Sequence, residues 1–288
     1  MINKETYLAS IKLDKELAKA KPSLDLLNQL VPAHLYAFPY SNAELILAGR
    51  QPAAERQVPS LEAPELIGRF INQRRPAYCL QLNETFALVL EAFGFTVHRH
   101  LARVINKKTS DFDRDKDIPK VIDHLVLVVL LDDMEYLIDV GIANHGFRGA
   151  LPFKCQEMNL GEDTYRITEF DHQRLLETKL EGSWLSLFVV GTNAVNHQEL
   201  LEAHRELFYT NERIPIRDLF VKFGVVTPVK RKTFISFVET GANFFKSYRE
   251  TNLHCHERQI DRDQFQRMNQ KKFAQTPEDK IVSVCFPK

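Results

Sequence analysis

The chain of 288 residues carries 38 Lys and Arg against 38 Asp and Glu, so its formal charge at neutral pH is zero, and 44% of it is hydrophobic. That apolar fraction supports a packed core and excludes wholesale disorder, while the balanced charge argues against a polyanion binder; nucleic acid is not an expected partner. No apolar targeting segment opens the sequence, the longest apolar run (Leu125 to Leu131) is far too short to cross a bilayer, and the four scattered cysteines contain no C-x-x-C pair. A reduced, cytoplasmic protein without membrane association is expected, with two or three sub-structures sharing one core.

Helical signals come first. Leu24, Leu27, Leu30 and Val31 recur at three- and four-residue steps behind Ser23, a suitable N-cap. Leu66, Ile67, Phe70 and Ile71 repeat the pattern after Pro64, which fits a first helical turn. Pro52 and Pro59 make the intervening stretch a loop. A third helix, Cys79 to Phe93, places Leu82, Phe86, Val89, Leu90 and Phe93 on one face, and Gly94 stops it.

From Phe95 to Val104 the apolar period shortens to that of a strand. The polar stretch from Asn106 to Lys120 is expected to be a solvated loop. Two apolar runs follow, His124 to Leu131 and Met134 to Val140, and only Asp132-Asp133 separates them, so a hairpin is expected. Further strands are expected at Tyr165–Phe170, Arg174–Thr178, Trp184–Val190, Leu219–Val226 and Thr233–Val238, and a terminal helix around Arg262 to Phe273. Helices first, then mainly antiparallel strands, then a mixed tail define an α+β chain.

Four isolated cysteines are ordinarily structural. Cys79 differs by position. It opens a helix directly after Arg74-Arg75-Pro76-Ala77-Tyr78, and the positive end of the helix dipole and the two arginines all favour a thiolate. The hairpin supplies partners. A two-residue turn at Asp132-Asp133 puts His124 opposite Gly141 and Asp139 opposite Val126, so His124 and Asp139 share a face as diagonal neighbours, with backbones about 7–8 Å apart. Asp139 is the only charge within Tyr136-Leu137-Ile138-Asp139-Val140 and needs a partner if buried. A structural pair closing the hairpin would satisfy that need. So would an imidazole oriented by a carboxylate and turned toward a thiol. A Cys–His–Asp set serves cysteine proteases, transglutaminase-type enzymes and acyltransferases alike.

Around these residues the sequence resembles the arylamine N-acetyltransferases. Arg75-Pro76-Ala77-Tyr78-Cys79-Leu80-Gln81-Leu82-Asn83 is similar to that family's R-G-G-x-C-x-E-x-N segment, and His124 followed by Asp139-Val140-Gly141 matches its spacing of His and Asp. Phe38-Pro39-Tyr40-Ser41-Asn42 resembles its I-P-F-E-N, and Phe208-Tyr209-Thr210 falls where it has N-H-Y-T/S. The resemblance implies an N-terminal helical bundle carrying the nucleophile (1–95), a central antiparallel β-barrel carrying His and Asp (96–205), and a C-terminal α/β lid (206–288). It implies ping-pong transfer of acetyl from acetyl-CoA through a Cys79 thioester to an aromatic amine or hydrazine, with His124 moving the proton and Asp139 holding the ring. Gly141, Tyr209 and Thr210 would then meet the acyl-CoA, Phe38 and Tyr40 the acceptor, and no metal would be needed.

The chain also departs from that pattern. Pro76 and Ala77 replace both glycines, Gln81 and Ser41 replace glutamates, and Ile142-Ala143 replaces an aromatic-Gly pair. The same triad would serve a different acyl donor, an amide synthase or an amide hydrolase, and an inactive family member would act as a binding protein. Lys230-Arg231-Lys232 is expected to be a solvated turn, His254-Cys255-His256 does not by itself complete a tetrahedral metal set, and no G-x-G-x-x-G or Walker loop is present.

Overall fold

The computed structural model describes residues 2–260 apart from 39, 50, 53, 74, 143–145, 162, 211–219, 227–231, 240–244 and 252–253. Among the described residues, α-helices are α1 (Lys4–Ser10), α2 (Leu24–Ala37), α3 (Ala43–Gly49), α4 (Ala63–Leu66), α5 (Cys79–Ala92), α6 (Arg114–Asp117) and α7 (His197–Thr210). Strands are β1 (Tyr40–Ser41), β2 (Thr96–Lys108), β3 (His124–Leu131), β4 (Met134–Ile138), β5 (Leu151–Pro152), β6 (Glu157–Leu160), β7 (Asp163–Phe170), β8 (Gln173–Leu180), β9 (Ser183–Val195), β10 (Phe220–Val226), β11 (Lys232–Glu239), β12 (Phe245–Thr251) and β13 (His254–Ile260). The class is α+β, as expected. None of these helices is long and apolar enough to cross a membrane. The terminal helix expected at Arg262 to Phe273 lies outside the described residues.

Two compact units divide the chain, one of residues 1–35 and 79–211, the other of 36–78 and 212–288. In the first, α1 meets α2 where Tyr7 and His34 are hydrogen-bonded at 3.0 Å, α2 meets α5 where His34 packs on Phe86 with centroids 4.6 Å apart, and Leu27, Leu30 and Leu90 are fully buried. Ser23 caps α2 as its sequence predicts, its hydroxyl accepting from Leu26 N at 3.2 Å. Gly94, at φ +92°, ends α5 where Phe95 N turns back to Leu90 O at 3.0 Å; a side chain there would be strained.

The same unit holds an eight-stranded antiparallel sheet in the order β5-β4-β3-β2-β9-β8-β7-β6. It curls into a nearly closed barrel, because residues from both ends of that order (Leu151 on β5, Met158 and Leu160 on β6) join one core with Val126, Val128, Phe147, Leu176 and Phe188. The stretch expected to be a solvated loop is instead partly a cover. β2 runs on to Lys108, and Ile105, Phe112 and Ile118 pack onto Phe170, Leu175 and Val189 on the outer face of the sheet. Under that cover Glu177 is buried, held by Arg166 at 2.6 and 2.8 Å and by Thr109 Oγ1 at 2.7 Å.

In the second unit β1, β10, β11, β12 and β13 form an antiparallel sheet in that order. β12 and β13, which their polar sequences leave undefined, pair from Phe245↔Ile260 to Thr251↔His254. Pro64 opens α4, as expected, and a π-type turn continues it from Ile67 to Asn72. Pro76 and Ala77 lie in extended chain without positive φ, where Ala77 bridges Tyr40 in parallel and accepts from Ser41 N at 2.8 Å.

Candidate active site

The hairpin that carries two of the predicted residues has the expected register. Leu127 faces Ile138 and Leu131 faces Met134, which leaves Asp132 and Asp133 as a two-residue turn. Both have positive φ, 50° and 59°, a primed turn that aspartate tolerates in place of glycine. β3 begins at His124, as predicted. β4 ends at Ile138, two residues short of the expected Val140, because the Asp139 carboxylate takes the backbone donors that a ladder would otherwise use. Its Oδ1 accepts from Gly141 N at 2.7 Å and Ile142 N at 3.0 Å, a local turn closed by the side chain.

His124 Nε2 donates to Asp139 Oδ2 at 2.7 Å, and both side chains are buried. Asn83, one helical turn beyond Cys79 on α5, completes the carboxylate's shell. Its amide donates to Asp139 Oδ1 at 2.9 Å and to Leu125 O at 2.6 Å, and its carbonyl accepts from Val140 N at 2.9 Å. One side chain thus ties the Cys79 helix to β3 and to the segment that follows β4.

Burial alone would raise the Asp139 carboxyl, but the His124 charge and the hydrogen bonds from His124, Asn83 and Gly141 outweigh it, leaving the group below the ordinary carboxylate range. Burial likewise opposes a charge on His124. The Asp139 charge and hydrogen bond, with smaller contributions from Cys79, reverse this and hold the ring well above the usual 6.5.

The structure brings Cys79 to the same place. Its sulfur is near enough to the His124 ring to help hold that ring above its usual value. The sulfur also lies 3.5 Å from the backbone carbonyl of Asp123. Phe188 packs against the ring with centroids 5.4 Å apart. Gly141 sits directly beneath: a Cβ there would meet Asn83 Nδ2 at 2.5 Å, Cys79 O at 2.7 Å and Cys79 Cα at 2.8 Å. Glycine is required here for close approach of the hairpin to α5.

Of the remaining predicted residues, Tyr209 is 55% exposed near the end of α7, its ring edge-on to Phe208 at 5.1 Å. Thr210 closes the same helix. Phe38, buried, and Tyr40, paired with Lys222 in β1, belong to the other unit. Arg74 and most of the basic run at 230–232 lie outside the described residues. Among the described residues no group of three or more His, Cys, Asp or Glu is placed to hold a metal ion. Sequence reasoning assigned no role to Asn83 or Asp123. The signal for Asn83 was its spacing of four from Cys79, which puts both on one helix face; Asp123 showed only as the neighbour of His124.

A thiol at a helix N-terminus, near an imidazole that is hydrogen-bonded to a buried carboxylate, is the equipment of thiol-based acyl transfer. Comparison with known proteins narrows the class. A family model described as N-acetyltransferase matches residues 23–280, and the chain belongs to the arylamine N-acetyltransferase family, as a divergent member. The arylamine N-acetyltransferase of Mycolicibacterium smegmatis is 27% identical over 187 residues, which cover 65% of this chain and 63% of that relative. An N-malonyltransferase of Fusarium pseudograminearum is also 27% identical, over 49% of this chain and 44% of its own. The chain therefore aligns with less than two thirds of these relatives' lengths. In fold the likeness is broader. The M. smegmatis arylamine N-acetyltransferase structure superposes with a TM-score of 0.78 at 23% identity, covering 97% of this chain and 94% of that one. The Mycobacterium marinum enzyme in complex with CoA gives 0.76 at 20% identity, covering 99% and 100%.

Proposed function

We propose that this protein is a cysteine-dependent acyltransferase that moves acetyl from acetyl-CoA to an aromatic amine or hydrazine by a ping-pong route, with Cys79, His124 and Asp139 as its catalytic residues. The single observation that carries this is the buried His124–Asp139 pair, hydrogen-bonded at 2.7 Å, with Cys79 near enough to act on the same ring. In the first half-reaction the Cys79 thiolate attacks the thioester carbonyl. Its proton rests on His124, which returns it to the departing CoA sulfur as the Cys79–acetyl bond forms. Exchange of one thioester for another needs little driving force, so positioning is most of what the protein must supply. In the second half-reaction the amine nitrogen attacks the acetyl carbonyl, loses a proton to His124, and Cys79 departs. Asp139 stays ionised throughout and keeps the ring in one tautomer.

On the same proposal residues 1–95, 96–205 and 206–288 act as nucleophile-bearing bundle, barrel and lid. Gly141, Tyr209 and Thr210 approach the acyl donor, and Phe38 and Tyr40 the acceptor. The likeness to a structure described as a complex with CoA supports CoA as carrier. A second reading keeps the machinery and changes the acyl group, since one relative of equal identity is named for malonyl transfer.

Mixing the protein with acetyl-CoA and measuring intact mass tests both readings. One acetyl adduct on the wild-type chain, absent from Cys79→Ala, is expected. An adduct from malonyl-CoA alone selects the second reading, and no adduct from any acyl-CoA refutes both.

A further inference from the structure

The Cys79 sulfur has two neighbours able to engage its proton, and they differ in kind. One is the His124 ring, which takes the proton and leaves a charge pair. The other is the Asp123 carbonyl, 3.5 Å from the sulfur, which accepts a hydrogen bond from the neutral thiol and has only lone pairs to offer a thiolate. The two are adjacent in sequence but anchored separately. The ring is fixed by Asp139 and by Phe188. The carbonyl belongs to the last peptide before β3, and what fixes that peptide is the Asp123 side chain. Its Oδ1 accepts from Val104 N at 2.8 Å across the β2–β3 boundary, one step past the Ala102↔His124 pair, while Asp123 N reaches Ala102 O at 3.3 Å. The carboxylate takes the place of a ladder carbonyl that β3 does not extend far enough to provide.

We propose that Asp123 is a positioning residue for Cys79: its carboxylate, anchored on the Val104 N–H, holds the 123 carbonyl against the sulfur, stabilises the thiol and restrains thiolate formation in the free protein. The inference rests on Cys79 being the reactive thiol proposed above. The charged groups facing this pocket are the His124 ring and Asp139, which favour the ion pair, the Asp123 carboxylate itself, and Arg103, whose charge acts on that carboxylate. Restraint by Asp123 is thus set against promotion by Asp139, with the sulfur between them.

The test is iodoacetamide alkylation across pH, followed at the Cys79 peptide by mass spectrometry so that the exposed Cys155 does not interfere. Asp123→Ala, which removes the anchor, is expected to alkylate about threefold faster at neutral pH, with its profile displaced to lower pH. Asp123→Asn, which still accepts from Val104 N, is expected to stay within about twofold of wild type. A loosened fold would move the profile the other way, toward that of a free thiol, so a shift to higher pH overturns the proposal. So does an unmoved profile. If Asp123→Ala does not fold, Asp123→Ser, too short to span to Val104 N, takes its place under the same criteria. A wild-type Cys79 no more reactive than a peptide thiol refutes the functional proposal and this one together. A reactive wild type with an unmoved variant refutes this one alone.

Discussion

Gly141→Ala is the sharpest probe of how the hairpin meets α5. The added Cβ would stand 2.5 Å from Asn83 Nδ2, 2.7 Å from Cys79 O and 2.8 Å from Cys79 Cα, all well inside the 3.4 Å at which ordinary contact begins. Two of these atoms are backbone in the first turn of α5 and have no rotamer to yield. The third belongs to the amide that holds Leu125 O and Asp139 Oδ1. Gly141 has no positive φ, so steric contact is the whole of the penalty. The loop must retreat from the helix, and the 2.7 Å hydrogen bond from Gly141 N to Asp139 stretches with it. Overpacking and a weakened charge-assisted hydrogen bond together cost about 2–4 kcal/mol. For a chain of this size that lowers Tm by roughly 3–7 °C. Differential scanning calorimetry measures the first effect, and Cys79-specific alkylation, slower at neutral pH because the ring loses its fixed partner, measures the second. A Tm within about 1 °C of wild type with an unchanged alkylation profile would show that the loop has room, and would remove glycine's packing role.

Asn83→Ala removes hydrogen bonds to Leu125 O, Asp139 and Val140 N; it should cost about 3 kcal/mol or more in urea unfolding, and less than about 1 kcal/mol would contradict the tie between helix and hairpin. Burial lowers His34 to about 3 and His204 to about 4. Both stay neutral in the folded chain while the unfolded chain takes up protons below about 6.5, so stability falls as pH drops from there toward 4, by up to ~1.4 kcal/mol per unit for each. His34→Gln should flatten that slope by one such share, and an identical slope would count against neutral burial. The Asp139–His124 pair has two edges: Asp139 is depressed, so its share is lost as pH falls below about 4, and His124 is raised, so its share is full below about 6.5 and fades above. Asp139→Asn should therefore cost most stability between those limits. Glu177→Ala strands Arg166 and Thr109 under the barrel's cover and should cost about 3 kcal/mol while leaving Cys79 alkylation unchanged, since the hydrogen bonds it breaks lie on the sheet's outer face.

The hairpin was legible because turn, register and facing pair all follow from two short apolar runs and a two-residue gap, with nothing distant required. The convergence of Cys79 on it was not. No local pattern states which part of a barrel a helix N-terminus will meet, and that reading came from resemblance rather than periodicity. The cover over the sheet was misread for a local reason. β2 changes phase within Asn106, at φ 50°, where its pairing with β9 shifts between Val104 and Lys107. A bulge exchanges the inward and outward faces, so alternation stops at Val104 in the sequence although the strand does not. β9 outlasts its apolar run for a related reason: beyond Val190 its partners on β2 are Arg99 and His100, and the pairing carries on through residues of no strand-like composition.

Stability by itself gives little reason for the Asp139–His124 pair. Taking an aspartate and a histidine almost wholly out of water is costly, and well-packed apolar residues of the same size commonly do as well or better. The surrounding donors reduce that cost without removing the alternative. What apolar residues would not reproduce is an imidazole near a sulfur at the start of a helix. Leu125 and Val126, next along β3, are fully buried and apolar, so the strand accepts such residues immediately beside His124. The departures elsewhere around the motif, at Pro76, Ala77 and Ile142, leave this ionic pair in place together with the asparagine that serves it. A buried charge kept where an apolar side chain would pack, near a thiol, is what the proposed proton transfer would require and what folding alone would not.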